Sequence, residues 1–224
     1  MTTTPDPLIL ANLIFDKKNE YPNLDVLTFV TVQKDESYAE EIRSYQQLWD
    51  NGQRCASALD AEAMSVGDAF AIISLNHPEF VDTMVGSSIV GTIFVPVDPR
   101  TKGQKLSYML NHAGCRGAVI GDYALNNLID ILPQCPQLEW VWVIKSGASK
   151  VEIPSLLRSR EFADILDTEV TEQEIKVSDA ESPMQMLYTS GTTGDPKAIL
   201  STYARFGFVA SLGAALGLRQ EDRP

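Results

Sequence analysis

The chain has 224 residues, 44% of them apolar and 21% charged, with a formal net charge of −12. That length suits one large or two small domains with ample core, and the composition is that of a soluble globular protein. Residues 1–180 carry 14 Lys/Arg against 26 Asp/Glu, whereas residues 181–224 carry four of each, which excludes a broad basic surface for nucleic acid.

Cys55, Cys115 and Cys135 are odd in number and widely spaced, and neither His77 nor His112 is placed to complete a metal site. Buried thiols in a reducing, cytoplasmic setting are expected. The opening Met-Thr-Thr-Thr-Pro-Asp-Pro has no basic segment leading into an apolar run, so no secretory signal is expected. No stretch reaches the ~18 uninterrupted apolar residues of a transmembrane segment.

In chain order, the β-branched run Val26–Val32 predicts a strand. Ser44 predicts an N-cap for a helix in which Tyr45, Leu48, Trp49, Cys55, Ala56 and Leu59 recur at helical spacing. Val66-Gly-Asp68 is a turn before a buried strand, Ala69–Leu75. Asn76 then reads as an N-cap, with Pro78 in the first turn, Glu79 at capping-box spacing, and Phe80, Val81, Met84, Val85 and Ile89 facing the core.

Ile93–Val97 predicts a strand ended by Asp98-Pro99, followed by a helix through Leu106, Met109 and Leu110 that stops near Gly114. Ala118–Ile120 and Trp140–Ile144 are two more strands, with a helix around Leu125–Leu132 between them. Strand alternating with helix predicts a parallel α/β sheet. Ser146–Asp179 reads as a polar connection holding one helix, Ser155–Ile165, and Tyr203–Leu218 as a glycine-interrupted apolar helix.

Two smaller patterns are weak. His77 and Asp82 have the His-x4-Asp spacing of some acyltransferases, but Pro78 between them favours a helix cap with Asp82 exposed. Ser87 and Ser88 do not form the G-x-S-x-G of a hydrolase. Trp140 and Trp142, alternating around Val141, read as strand packing.

The most informative segment is Tyr188-Thr-Ser-Gly-Thr-Thr-Gly-Asp-Pro-Lys197. Four hydroxyls, two glycines and one lysine within nine positions suit a loop around a polyphosphate. Glycine lets backbone N–H groups approach, hydroxyls donate, and lysine adds charge. The apolar Met184–Tyr188 ahead of it reads as a strand, so the loop leaves a strand's C-terminal end, where open α/β sheets bind ligands. The run does not fit the G-x-x-x-x-G-K-S/T phosphate loop, and the chain has no G-x-G-x-x-G.

This segment resembles the phosphate-binding signature of the adenylate-forming (AMP-binding) superfamily: acyl-CoA synthetases, luciferases and peptide-synthetase adenylation domains. Further similarity follows in family order at Ser44–Leu48, at Val66–Ile73 with Asn76–Phe80, and at Gly91–Arg100. The resemblance runs over residues 26 to 218. It implies the N-terminal part of the adenylate-forming fold, a mainly parallel sheet flanked by helices and incomplete. Residues 1–224 would then be the N-terminal portion of the adenylation domain, without its C-terminal part or the small C-terminal domain.

What the resemblance implies chemically is an AMP-forming acid–thiol ligase of acyl-CoA synthetase type, in fatty acid metabolism. A carboxylic acid attacks the α-phosphate of ATP, and the thiol of coenzyme A then displaces AMP. Thr189, Ser190, Gly191, Thr192, Thr193, Gly194 and Lys197 would hold the ATP phosphates, and Thr192 would touch Mg²⁺ or its water shell. Asp98-Pro-Arg100 lies in a region that packs near the family's substrate side.

The catalytic lysine, the adenine contacts and the ribose aspartate are expected beyond residue 224, in family members roughly twice as long. The expected partners are therefore the acid, ATP, coenzyme A and a complementing C-terminal half, with the chain alone inactive. Thr192 leans toward acyl-CoA synthetases, while Val95–Pro99 has a peptide-synthetase character, and Ala198 stands where the family usually places glycine. The alternatives are a peptide-synthetase adenylation domain and a non-catalytic nucleotide-binding or interaction remnant.

Overall fold

The computed structural model describes residues 5–33, 35–147, 152–189 and 196–215. Helix α1 (Leu10–Glu20) leads into an antiparallel hairpin of β1 (Asp25–Val32) and β2 (Tyr38–Ser44), which stands as its own two-stranded sheet. Helix α2 (Tyr45–Ala61) starts where Ser44 predicts it. The Ser44 hydroxyl accepts from Gln47 N at 3.3 Å while the Gln47 side chain accepts from Ser44 N at 2.9 Å, a reciprocal capping box.

The body alternates strand and helix: β3 (Ala69–Ile73), α3 (Pro78–Val90), β4 (Ile93–Pro96), α4 (Gly103–Ala113), β5 (Cys115–Gly121), α5 (Leu125–Ile129) and β6 (Trp140–Ile144). After β7 (Arg158–Glu161) and α6 (Phe162–Leu166) the chain returns through β8 (Pro183–Thr189), β9 (Lys197–Thr202) and α7 (Tyr203–Ala215). The seven strands lie in the order β7-β6-β5-β3-β4-β8-β9. Every pairing in it is parallel except that of β8 with β9. The predicted parallel α/β sheet is therefore correct.

Fully buried β3 and β6 are apolar along their whole length, because helices cover both faces of the sheet. One core layer joins α1, α2, α3 and α6 to one face, and a second joins α4 and α5 to the other. Chain direction explains this. The connection from β3 runs outward to β4, whereas that from β4 runs back past β3 to β5. Right-handed crossovers of opposite sense must lie on opposite faces.

Helices α2 and α3 cross without room for a side chain at Gly86. A Cβ there would come 2.5 Å from Cys55 Cβ and 3.0 Å from both Ala56 N and Gly52 O.

Several expectations need correction. Asn76 is not the N-cap of α3: Pro78 occupies N1, which makes His77 the cap, and His77 makes no side-chain capping bond. Asp82 is not exposed but 0% accessible, because α2 and β2 cover the flank of α3 that a lone helix would turn to water. The strand from Ala69 ends at Ile73, and Leu75 is exposed. No helix spans 155–165. Residues 158–161 form an edge strand paired parallel to β6, and a short helix follows. Both faces of Arg158–Glu161 are polar, so the segment carries no period-2 apolar signal. Helix α1 and strands β2 and β9 are elements without a counterpart among the expected ones. Residues 216–218 of the predicted last helix lie outside the described residues. Trp140 and Trp142 are fully buried with centroids 4.8 Å apart, as strand packing requires.

Candidate functional site

The hydroxyl- and glycine-rich segment is the connection of the β8–β9 hairpin. Thr189 and Lys197 are register partners at its mouth, where the Thr189 hydroxyl approaches Lys197 O at 3.5 Å. Both side chains are exposed. Ser190, Gly191, Thr192, Thr193 and Gly194, and with them the Mg²⁺ assignment to Thr192, lie outside the described residues. Of the seven predicted phosphate contacts, the structure brings Thr189 and Lys197 together.

Strand β8 pairs in parallel with β4, Phe94 opposite Gln185, and β4 pairs with β3. The hairpin mouth therefore lies on the same sheet edge as the C-terminal ends of β3 and β4. The connections leaving those two strands go to opposite faces, which opens a crevice between them. It measures about 440 Å³ and is lined by Ser74–Asn76 and Phe80 on one side and by Pro96–Arg100 on the other. Asp98-Pro-Arg100 is the predicted strand-end turn, with Thr101 N donating to Asp98 O at 2.8 Å. Arg100 pairs with Asp98 at 2.6 Å and holds its carboxyl down at about 2. Tyr123 holds the Leu75 side in place: its hydroxyl accepts from Leu75 N at 2.6 Å and meets His77 Nε2 at 3.1 Å.

Tyr188, the first residue of the motif, is anchored rather than free. Its hydroxyl donates to Met109 O at 3.1 Å and lies 2.7 Å from His112 Nδ1. Burial pushes the phenol up to about 12, so it remains a donor. Since that single proton goes to Met109 O, His112 Nδ1 must donate to the Tyr188 oxygen. The arm entering the loop is thus pinned to α4. The sequence reading missed this pair, for His112 lies 76 residues away and carries no local signal. At the far end of β9 from the loop, Thr202 Oγ1 accepts from Arg205 N at 3.3 Å as α7 begins.

The His77–Asp82 pair does not assemble as an acyltransferase dyad. His77 stacks on Tyr123, whereas Asp82 is buried against Arg43. All three cysteines are free and buried, as expected. Burial raises each thiol, which leaves them unreactive. Among the described residues no group of three or more His, Cys, Asp or Glu could hold a metal ion, and no helix is long and apolar enough to cross a membrane.

Residues 15–223 match the family of AMP-binding enzymes. A 4-hydroxybutyrate–CoA ligase 2 of Metallosphaera sedula is 27% identical over 174 residues, 73% of this chain and 30% of the ligase. A dimodular nonribosomal peptide synthase of Bacillus subtilis is 26% identical over 190 residues, 80% of this chain and 7% of the synthase. The solved structure of the anthranilate CoA ligase AuaEII with anthranoyl-AMP superimposes with a TM-score of 0.76 at 22% identity, covering 90% of this chain and 36% of that one. The part of this chain that matches spans about a third of the length of the CoA ligases, which are about two and a half times its size. Sequence and fold together place this chain in the AMP-binding enzyme family.

Proposed function

We propose that the chain supplies the phosphate-binding part of an AMP-forming acyl-CoA synthetase, which activates a carboxylic acid with ATP and passes the acyl group to coenzyme A. One observation carries the reading. The Thr189–Lys197 segment joins β8 to β9 at the carboxyl edge of a parallel sheet, beside the crevice where its strand connections part. An exposed Lys197 opposite Thr189 gives a cation and a donor with backbone around them, which fits a polyphosphate.

In this reading Ser190, Thr192, Thr193 and Lys197 hold the β- and γ-phosphates and stabilise charge on the leaving pyrophosphate. Fixed donors matter more there than proton transfer. Mg²⁺ would neutralise phosphate charge when it arrives with the nucleotide, and Thr192 is the residue assigned to it or its water. Tyr188 and His112 keep the entering arm in place. The lysine of the chemical step belongs to a complementing C-terminal half, and the proposed setting is the cytoplasm.

Two arms test this. ATP–Mg²⁺ and pyrophosphate should bind the chain, and Lys197→Ala should weaken both about tenfold, the loss of one charge-assisted contact. Carboxylate-dependent ATP–pyrophosphate exchange should appear only with a complementing half. Nucleotide binding indifferent to Lys197 would refute the site. Exchange that stays absent in a completed enzyme would leave the non-catalytic nucleotide-binding reading. A second catalytic reading, a peptide-synthetase adenylation domain, is favoured by the Bacillus subtilis relative. It predicts activation of amino acids and transfer to a carrier protein instead of coenzyme A.

A further inference from the structure

A second cavity, of about 1070 Å³, lies between α1, the first turns of α2 and the extended segment 172–178. It sits on the face of the sheet covered by α1, α2 and α3. Three carboxylates line it, Asp6, Glu172 and Glu174, and no basic side chain does. Both glutamates are exposed, and the residue between them is tied inward: Gln173 N donates to Gln53 Oε1 at 2.6 Å and Gln53 Nε2 donates to Gln173 O at 3.4 Å. That inward tie sets the register of the strand-like segment, in which alternate residues turn outward.

The inner wall is aromatic and carries two incomplete polar groups. Phe15 and Trp49 pack with centroids 5.1 Å apart, and Lys18 sits over both rings at 4.7 and 5.6 Å. Trp49 is only 5% exposed, yet its indole N–H meets no acceptor among the described residues. Nor is it sealed in the core, as the unpartnered Trp140 Nε1 is. Asn12 is 7% exposed, and its Nδ2 donates to Asp6 O at 2.9 Å, which fixes the amide orientation and leaves Oδ1 without a donor. Neither atom is among the sealed side-chain atoms that lack a partner, so both are open to a ligand in the cavity. Here one donor and one acceptor flank Phe15, both on residues that line the cavity.

We infer that this cavity is a docking groove for a basic peptide segment of a partner protein. A peptide amide offers the two groups the wall lacks, a carbonyl for Trp49 N–H and an N–H for Asn12 Oδ1. Lysine or arginine side chains of the same segment then meet Glu172, Glu174 and Asp6. A free polyamine satisfies the carboxylates but has no acceptor for the indole. An acidic ligand is repelled by the three carboxylates, on a chain whose acidic excess lies wholly in residues 1–180. The groove is independent of the phosphate loop, and its test does not depend on nucleotide binding.

The experiment titrates the 224-residue chain, at low salt, with a fluorescein-labelled, acetylated Ala-Lys octapeptide, its Ala-Glu counterpart and spermine. The Ala-Lys peptide should bind and the Ala-Glu peptide should not. Glu172→Gln combined with Glu174→Gln should weaken the peptide about tenfold, the sum of two partly exposed ion pairs. These exposed positions leave the fold intact. Trp49→Phe, which keeps the buried ring and removes the N–H, should weaken the peptide about two- to fivefold and leave spermine unchanged. The inference is overturned if no Ala-Lys binding is seen, or if spermine displaces the peptide at equal concentration. It is equally overturned if either set of variants binds like the native chain.

Discussion

Arg43 and Asp82 form an ion pair across 39 residues of sequence that ties the β1–β2 hairpin to the centre of α3, with the guanidinium Nε 3.3 Å from Asp82 Oδ2. Asp82 is 0% exposed and its Oδ1 has no partner at hydrogen-bonding distance. Arg43 also pairs with Glu41, at 2.8 Å, so the cation is divided between an exposed and a buried carboxylate.

That geometry makes Asp82 a buried carboxylate with incomplete compensation. Burial raises it to about 6 against the opposing pull of Arg43 and Asn51, and Glu79, one turn earlier on α3, adds to the rise. Its pKa is higher in the folded chain than in the unfolded one. The stability it contributes is therefore complete below about pH 4 and lost as pH rises through about 6. Two units correspond to about 3 kcal/mol. Urea unfolding of the native chain and of Asp82→Asn between pH 4 and 7.5 should show the native chain losing about that much relative to the variant. A difference that stays flat with pH would remove Asp82 as the titrating group.

The proposed phosphate loop and the His-x4-Asp pattern can be separated by substitution. In a completed enzyme, Lys197→Ala and Thr192→Ala should each lower adenylate formation by about 100-fold, the usual loss on removing one donor to developing charge. His77→Ala should leave the chemistry alone and cost about 1 kcal/mol or less, since its contacts are those with Tyr123. Steady-state pyrophosphate release reads all three. Full activity in both loop variants with loss in His77→Ala would reverse the assignment.

The Tyr188 anchor predicts a tautomer. In its neutral form the His112 ring should carry its proton on Nδ1, readable from the ring nitrogen shifts in an NMR spectrum. Tyr188→Phe removes the bond to Met109 O and should lower stability by about 1–2 kcal/mol in a denaturant melt. A proton found on Nε2 instead would mean that Tyr188 donates to His112 and not to Met109 O.

The crossing of α2 and α3 should be intolerant of any added carbon. Gly86→Ala places a methyl against backbone as well as against Cys55, so the two helices must separate. We expect a loss of about 2–3 kcal/mol, in the range of overpacked cores, whereas Gly103→Ala meets no atom within 4 Å and carries only the strain of a positive φ. Thermal unfolding compares the two. Equal losses would show that backbone conformation, rather than crowding, governs both positions.

Strand β9 lies at the sheet edge, where Ile199 and Leu200 are exposed, and Phe208 and Val209 on α7 are 62% and 65% exposed. An apolar edge of that kind favours pairing with another chain. Light scattering should show the isolated chain self-associating, and Ile199→Lys should reduce it. A monodisperse native chain would show that this face needs no cover.

The sequence by itself determined what local spacing can encode. Apolar runs marked β3, β4, β5 and β6, Ser44 marked the start of α2, and Met184–Tyr188 marked the strand that leads into the Thr189–Lys197 segment, since each signal lies within one element or one turn. Edge strands β7 and β9 escaped because partly exposed strands lack a continuous apolar run. Tertiary structure alone decided the rest: the burial of Asp82, the Tyr188–His112 anchor and the pairing of Thr189 with Lys197 across the hairpin mouth. Whether a polar side chain is solvated or buried, and which atom completes its hydrogen bonds, depends on groups 39 or 76 residues away. Nothing in the neighbouring sequence carries that information.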